Sequence, residues 1–296
     1  MKLLRHIGTT MAVVVIAAVS LMAQASQDSV PDSDTRKTII TPGVFYINDI
    51  VWMGRADSLP NPYLVGYLLY GHKSGVFAKI SLSYLTGEDV QQLDIFSAML
   101  GYTLSKGVWQ SGVSSSAYYY NDNSFNVLSP VNFSGSGYFT YDFGWIESYL
   151  GASAFFSSGT VDPMIYFDFN KNIYTLKNQL IFNPTFAMSV GSISYYQTYL
   201  VEQAERKGQM KGKGKFPVAT TQTISVEEAS AFRITNFEIS LPISLSLNQF
   251  QVDFMPSYIL PVNPRSISVG DEVVEEELSN TFIWSIGVNY KIAADK

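Results

Sequence analysis

The chain contains no cysteine, which removes disulfides, thiolate metal sites, a thiol nucleophile and lipid attachment through an N-terminal cysteine. Histidine is nearly as scarce: of the 2 present, His6 lies in the first 25 residues and His72 stands alone after them. A hydrolytic site that needs a histidine base therefore has one place to form. Charged residues make up only 15% of the chain and the net charge is −6, so no basic face for nucleic acid is expected. Beyond the N-terminal region no run approaches 18 uninterrupted apolar residues, and no helical membrane span is expected there. Neither a Gly-rich phosphate loop nor a metal-ligand spacing occurs, so cofactor and metal are both expected to be absent.

What the chain has in quantity is apolar and aromatic surface, at 47% and 14%. Its start reads as an export signal. Lys2, Arg5 and His6 precede an apolar stretch from Met11 to Met22, followed by the small-x-small pattern Ala23-Gln24-Ala25. The expected organisation is a signal peptide at 1–25, a partly disordered N-terminal lead-in at 26–61, a β-domain at 62–292 and a polar tail at 293–296.

The β-domain is read from period-two alternation. Phe250, Val252, Phe254, Pro256, Tyr258 and Leu260 oppose Gln249, Gln251, Asp253, Met255, Ser257 and Ile259. Side chains alternate faces along a strand, so this stretch has one apolar wall. Twelve such strands are expected, at 62–71, 75–86, 92–105, 108–120, 132–143, 145–157, 163–170, 173–190, 192–202, 231–246, 249–260 and 280–292; ten and fourteen are the neighbouring even counts. A transmembrane strand takes roughly 9–11 residues, so this length suits an antiparallel up-and-down β-barrel. Lys79, Lys177 and Lys291 share the polar parity, and one such lysine at the bilayer midplane would cost roughly 2–4 kcal/mol, which turns the apolar parity toward lipid. Arg233 and Asn178 fall on the apolar parity instead. Segment 43–54, GVFYINDIVWMG, has three readings: an extra strand, a periplasmic lead-in or a piece folded into the lumen.

Together with the export signal and alternating strands, Trp109, Trp145, Trp284, Tyr290 and the final strand TFIWSIGVNYKI make the chain resemble outer-membrane β-barrel proteins of Gram-negative bacteria. The resemblance covers about 62 to 292 and is architectural. It implies outer-membrane lipid as surroundings and the barrel-assembly machinery as an insertion partner. In that family the last strand commonly ends in an aromatic, whereas this chain runs past Tyr290 to Lys291 and Ile292.

Short turns are expected at 86–90, 190–192 and 246–249, on the rim opposite two long connections, 203–230 and 261–279. The first long connection carries Arg206, Lys207, Lys211, Lys213 and Lys215; the second carries Asp271, Glu272, Glu275, Glu276 and Glu277. These are solvated loop charges in one reading, and ligands for lipopolysaccharide phosphates and divalent cations in the other. The inward parity is mostly neutral, with Lys79, Lys177, Glu238 and Asp253 of mixed sign, so weak selectivity for neutral or zwitterionic solutes is expected. A two-residue turn at Phe143-Gly144 would set Tyr138 across from Tyr149 and Thr140 across from Glu147, and with Tyr118 would form an aromatic wall suited to sugar rings.

A small passive pore or uptake channel follows as the first functional reading. A closed structural or surface-interaction barrel, shut by side chains or by segment 38–60, is the second. The third is a lipid hydrolase using His72 and Ser74, because His-x-Ser resembles the outer-membrane phospholipases and lipid A deacylases; glycines at 71 and 75 make that stretch a turn, and the protein is expected not to be an enzyme.

Overall fold

The computed structural model describes residues 37–56, 61–87, 90–124, 126–157, 159–196, 224–227, 231–269, 272–275 and 278–293. Twelve antiparallel strands form a closed ring. They are β1 (Ile39–Ile47), β2 (Tyr63–Gly71), β3 (Val76–Thr86), β4 (Gln91–Lys106), β5 (Trp109–Tyr120) and β6 (Val131–Asp142). There follow β7 (Glu147–Ser157), β8 (Thr160–Asn170), β9 (Thr185–Gly191), β10 (Arg233–Ser240), β11 (Phe250–Pro261) and β12 (Thr281–Tyr290). Short pieces lengthen one side of the wall: Ile173–Thr175 after β8, Leu180–Phe182 before β9 and Ile243–Leu247 after β10. Neighbours in the wall are neighbours in the chain except at the seam, where β12 pairs with both β11 and β1.

Alternation decides the faces as the hydropathy pattern predicts. On β11, Phe250, Phe254 and Tyr258 are exposed, whereas Gln251, Met255, Ser257 and Ile259 are buried. The same outward row recurs around the ring, for example Leu68, Leu82, Leu100, Phe139, Leu150, Phe169, Ile239 and Phe282. Contiguous exposed apolar surface on this scale belongs against lipid. At one rim aromatics gather in pairs: Tyr141 lies 4.7 Å from Phe143, Phe250 lies 4.7 Å from Tyr290, and Trp145 is 72% exposed in the turn between β6 and β7. An aromatic girdle marks the membrane–water boundary.

The count of twelve holds, but its composition differs from the sequence reading. β1 is a wall strand, so the barrel begins at Ile39 rather than at 62. The expected strand at 192–202 does not form in its described part, where residues 194–196 make a helical turn; the rest lies outside the described residues. Adding β1 also moves the connections. The turns at 72–75, 107–108, 143–146, 176–179 and 248–249 share a rim with both ends of the barrel chain, and the connections at 48–62, 87–90, 121–130, 158–159, 192–232 and 262–280 share the other. Short turns mark the periplasmic side and longer loops the outer side. Residues 86–90 therefore sit with the long loops, contrary to expectation, and 190–192 opens a long connection rather than closing a turn.

Both exceptions to the parity rule have local causes. A bulge between Ser189 and Val190 leaves Thr235 as the extra residue on β10, so Ile234 pairs with Val190 and Arg233 pairs with Gly191 on the inward parity. Asn178 is on no strand: Leu176, Lys177 and Asn178 have φ of 47°, 58° and 70° and build the turn that closes the β8–β9 extension. The stretch 173–190 is thus three strand pieces, one before that turn and two after it, and not one strand.

Candidate functional site

The lumen divides into two halves of different chemistry. On the outer side the connection from β1 to β2 turns inward and forms a two-rung hairpin, Val51–Trp52 against Arg55–Ala56. Positive φ at Met53 (52°) and Gly54 (75°) makes the reversal. Gly54 is required there twice over, since a Cβ would come within 2.6 Å of Pro261. Val51, Trp52 and Met53 have no exposed surface. Trp52 meets Phe155 edge-on at 4.9 Å and Tyr195 at 6.4 Å. The Arg55 guanidinium donates to the carbonyls of Met53 (2.9 Å), Thr235 (3.2 Å) and Asn263 (3.1 Å), tying the hairpin to the outer end of β10 and to the loop after β11. Segment 43–54 is therefore both wall strand and lumen insert.

Two carboxylates hold the neighbouring loops over this insert. Asp94, turned inward by a β4 bulge, accepts from Ser124 Oγ (2.8 Å) and from the Tyr63 hydroxyl in a short contact. Asp162 accepts from Ser192 Oγ (2.7 Å), Ser194 N (2.7 Å) and Tyr195 N (2.8 Å). Val127, Leu128, Val131 and Ile193 pack into the same buried cluster as Trp52. Among the described residues the insert is packed into an apolar cluster.

Toward the periplasmic rim the inward positions become more polar, and strand register maps them, with Tyr149 and Ala187 still part of the buried cluster that holds Trp52. One row of inward positions runs Thr140, Tyr149, Asp168, Ala187, Glu238; the next toward the periplasmic rim runs Asp142, Glu147, Asn170, Thr185, Ser240. Above them Ser114, Ser136 and Ser153 align, with Ser136 and Ser153 hydroxyls 2.8 Å apart. Several buried atoms here have no hydrogen-bond partner among the described residues: both Asp168 carboxylate oxygens, Asn170 Nδ2, Ser189 Oγ, Ser240 Oγ and Ser257 Oγ. Trp52 Nε1 is in the same position in the outer half. Buried polar groups of this kind are ordinarily satisfied by water.

Aromatic rings lie along the wall because glycine faces them. Gly43 pairs with Tyr67, Gly101 with Phe77 and Gly112 with Tyr138, and a Cβ on each glycine would come within 2.3, 2.3 and 2.5 Å of the ring. Tyr138 and Tyr149 stack with centroids 5.7 Å apart and planes 14° apart. Their register is offset from expectation: the turn is the four residues 143–146, so Tyr138 pairs with Gly151, Thr140 with Tyr149 and Asp142 with Glu147. Asp142 Oδ1 accepts from Gly144 N (2.6 Å), and that capped turn sets the shift. The two rings meet diagonally rather than directly.

Lys79, Tyr118, Tyr138, Thr140, Glu147, Tyr149, Glu238 and Asp253 all occupy inward positions. Asp253 accepts from Ser244 (2.6 Å), Gln251 (2.7 Å) and Asn289 (3.1 Å). Lys177 does not line the lumen; it is exposed in the left-handed turn at the periplasmic rim. Lys291 is exposed beyond the end of β12. Asp168, which the sequence reading passed over, is added, although its alternation with Phe167 and Phe169 placed it inward. In the periplasmic half the described inward charges are then Asp142, Glu147, Asp168, Glu238 and Asp253 against Lys79, whose ammonium sits 4.8 Å from the centre of the Tyr67 ring. His72 and Ser74 are 2.8 Å apart in an exposed periplasmic turn, a contact within the turn itself. Arg206, Lys207, Lys211, Lys213, Lys215, Asp271, Glu276 and Glu277 lie outside the described residues. Glu272 and Glu275 belong to a short strand, Glu272–Glu275, paired with Ser266–Val269, which pairs in turn with Ile224–Glu227.

No protein-family model and no curated protein matches the chain. Among solved structures it is similar to the KdgM porin, at 7% identity and TM-score 0.47 over 84% of this chain and 98% of that one. It is similar also to the NanC porin, at 8% identity and 0.43 over 86% and 100%. The translocator domain of autotransporter NalP from Neisseria meningitidis aligns at 9% identity and 0.45 over 92% and 94%. Likeness at this level transfers no function. The closed ring, the lipid-facing apolar parity and the aromatic rim are themselves those of a transmembrane β-barrel of the outer-membrane type.

Proposed function

We propose that the protein is a small outer-membrane pore for polar solutes, closed at its outer end by the hairpin at 51–56. The observation that carries the reading is the chemistry of the periplasmic half. A barrel with only a structural role gains most from an apolar filling, because a buried polar group without a partner costs about 1–3 kcal/mol. This wall instead turns Asp168, Asn170, Ser189, Ser240 and Ser257 inward with atoms that no described residue satisfies. Such a surface suits hydrated solute. The stop is a single connection between β1 and β2, so it can move without breaking a wall pairing.

The second reading, a permanently closed barrel, draws on the same insert, since Val51, Trp52 and Met53 are wholly buried. Planar-bilayer recording of the refolded protein separates the two. The pore reading expects rare steps from the native chain and frequent, larger ones from a Trp52→Ala/Arg55→Ala variant. Silence from both leaves the closed barrel standing. The hydrolase reading has only the exposed His72–Ser74 turn in its favour and is not adopted.

A further inference from the structure

The acid surplus in the periplasmic half is not spread evenly. Asp168 and Glu238 flank Ala187 in one row across β8, β9 and β10, so two carboxylates face the lumen on either side of a methyl group. Asp168 is fully buried, and both of its carboxylate oxygens lack a hydrogen-bond partner among the described residues. Three further inward atoms around this row are buried in the same condition: Ser189 Oγ and Asn170 Nδ2 at the adjacent positions of β9 and β8, and Ser240 Oγ beside Glu238 on β10. Tyr149 pairs with Asp168 on the remaining side, and its ring lies along the wall over Gly151. The patch thus offers carboxylates, hydroxyl oxygens and the face of an aromatic ring around a small central residue.

That combination is selective in kind. A carboxylate rewards positive charge, and a ring face attracts a cation through its quadrupole. An anion would meet acceptors and two like charges. Lys79, the one inward lysine among the described residues of this half, stands on β3 over the Tyr67 ring and outside the patch. We propose that the Asp168–Glu238 patch, with Tyr149 at its edge, takes the protonated amine of a passing solute and makes the pore cation-selective. The inference rests on the pore reading and replaces the neutral or zwitterionic solute expected from sequence with a cationic one.

The test is the reversal potential of refolded protein in planar bilayers under a potassium chloride gradient, using the native chain and, for a higher open frequency, Trp52→Ala. A several-fold preference for K+ over Cl− is expected. Asp168→Asn with Glu238→Gln should bring the ratio near unity, and Asp168→Glu should retain the preference, which separates lost charge from lost fold. Ethylammonium added to one side should reduce the K+ current several-fold in the parent and much less in Tyr149→Leu. Conductance with no cation preference would overturn the inference and leave the pore intact. A preference that survives the double substitution would also overturn it, because the charge would then act from elsewhere. If no protein conducts, the pore reading fails and this one falls with it.

Discussion

The two ends of the lumen solve the problem of a barrel interior in opposite ways. At the outer end, Trp52, Phe155, Leu128 and Tyr195 pack as a soluble core packs, and three of the polar side chains there, Asp94, Asp162 and Arg55, each hold a loop or hairpin in place. At the periplasmic end the wall is lined with serines, asparagines and carboxylates, several without a described partner. The strands are continuous through both regions, so the contrast lies in the inward parity alone. One wall can therefore carry an apolar core and a polar-lined stretch in series.

The contrast is broken most directly at Trp52. Trp52→Ala should weaken docking of the hairpin by about 3–5 kcal/mol, because a large buried side chain leaves a cavity; faster proteolysis within 48–62 and more frequent channel openings would report it. A smaller effect is expected of Arg55→Met, which removes the donor to three carbonyls at a cost of about 1–3 kcal/mol. Hydrogen exchange should quicken at the hairpin and at Thr235, with the periplasmic half unchanged. Gly112→Ala probes the other region: its Cβ would fall 2.5 Å from the Tyr138 ring and 2.9 Å from the Tyr102 carbonyl oxygen. Overpacking there should cost about 1–3 kcal/mol in urea unfolding from lipid vesicles, with a lowered single-channel conductance as the ring is displaced. His72→Ala lies outside both regions and should change stability by no more than about 0.5 kcal/mol. A phospholipid-hydrolysis assay on the same pair should read background, and activity that disappears with the substitution would reinstate the hydrolase.

Much of this architecture was legible because lipid imposes a strict rule on every second residue. The alternation on β11 and β12 names their faces without ambiguity, whereas Lys177 and Lys291, read on the polar parity, lie in a turn and past a strand end. What was not legible involves contacts with no local signal. Lys177 and Asn178 were read as strand because left-handed φ at three consecutive non-glycine residues has no strong sequence mark. Arg233 looked misplaced until the bulge at Thr235 changed the phase of its strand. The Tyr138–Tyr149 register slipped because Phe-Gly suggested a two-residue turn, whereas Asp142 caps a four-residue one. β1 carries Pro42 and Gly43 in a polar-flanked stretch, and its place in the wall depends on the partner strand at the far end of the chain.

That seam bears on how the barrel is made. From β1 to β12 each strand pairs with the next one in sequence, but at the seam Gly43 must find Asn289 across nearly the whole sequence. Loop closure of that length is the slowest contact such a topology demands. The hairpin folded into the outer lumen hangs from the same strand. Its insertion and the joining of the ring are thus coupled steps in assembly, and a barrel missing its first strand would be left with two raw edges and no stopper.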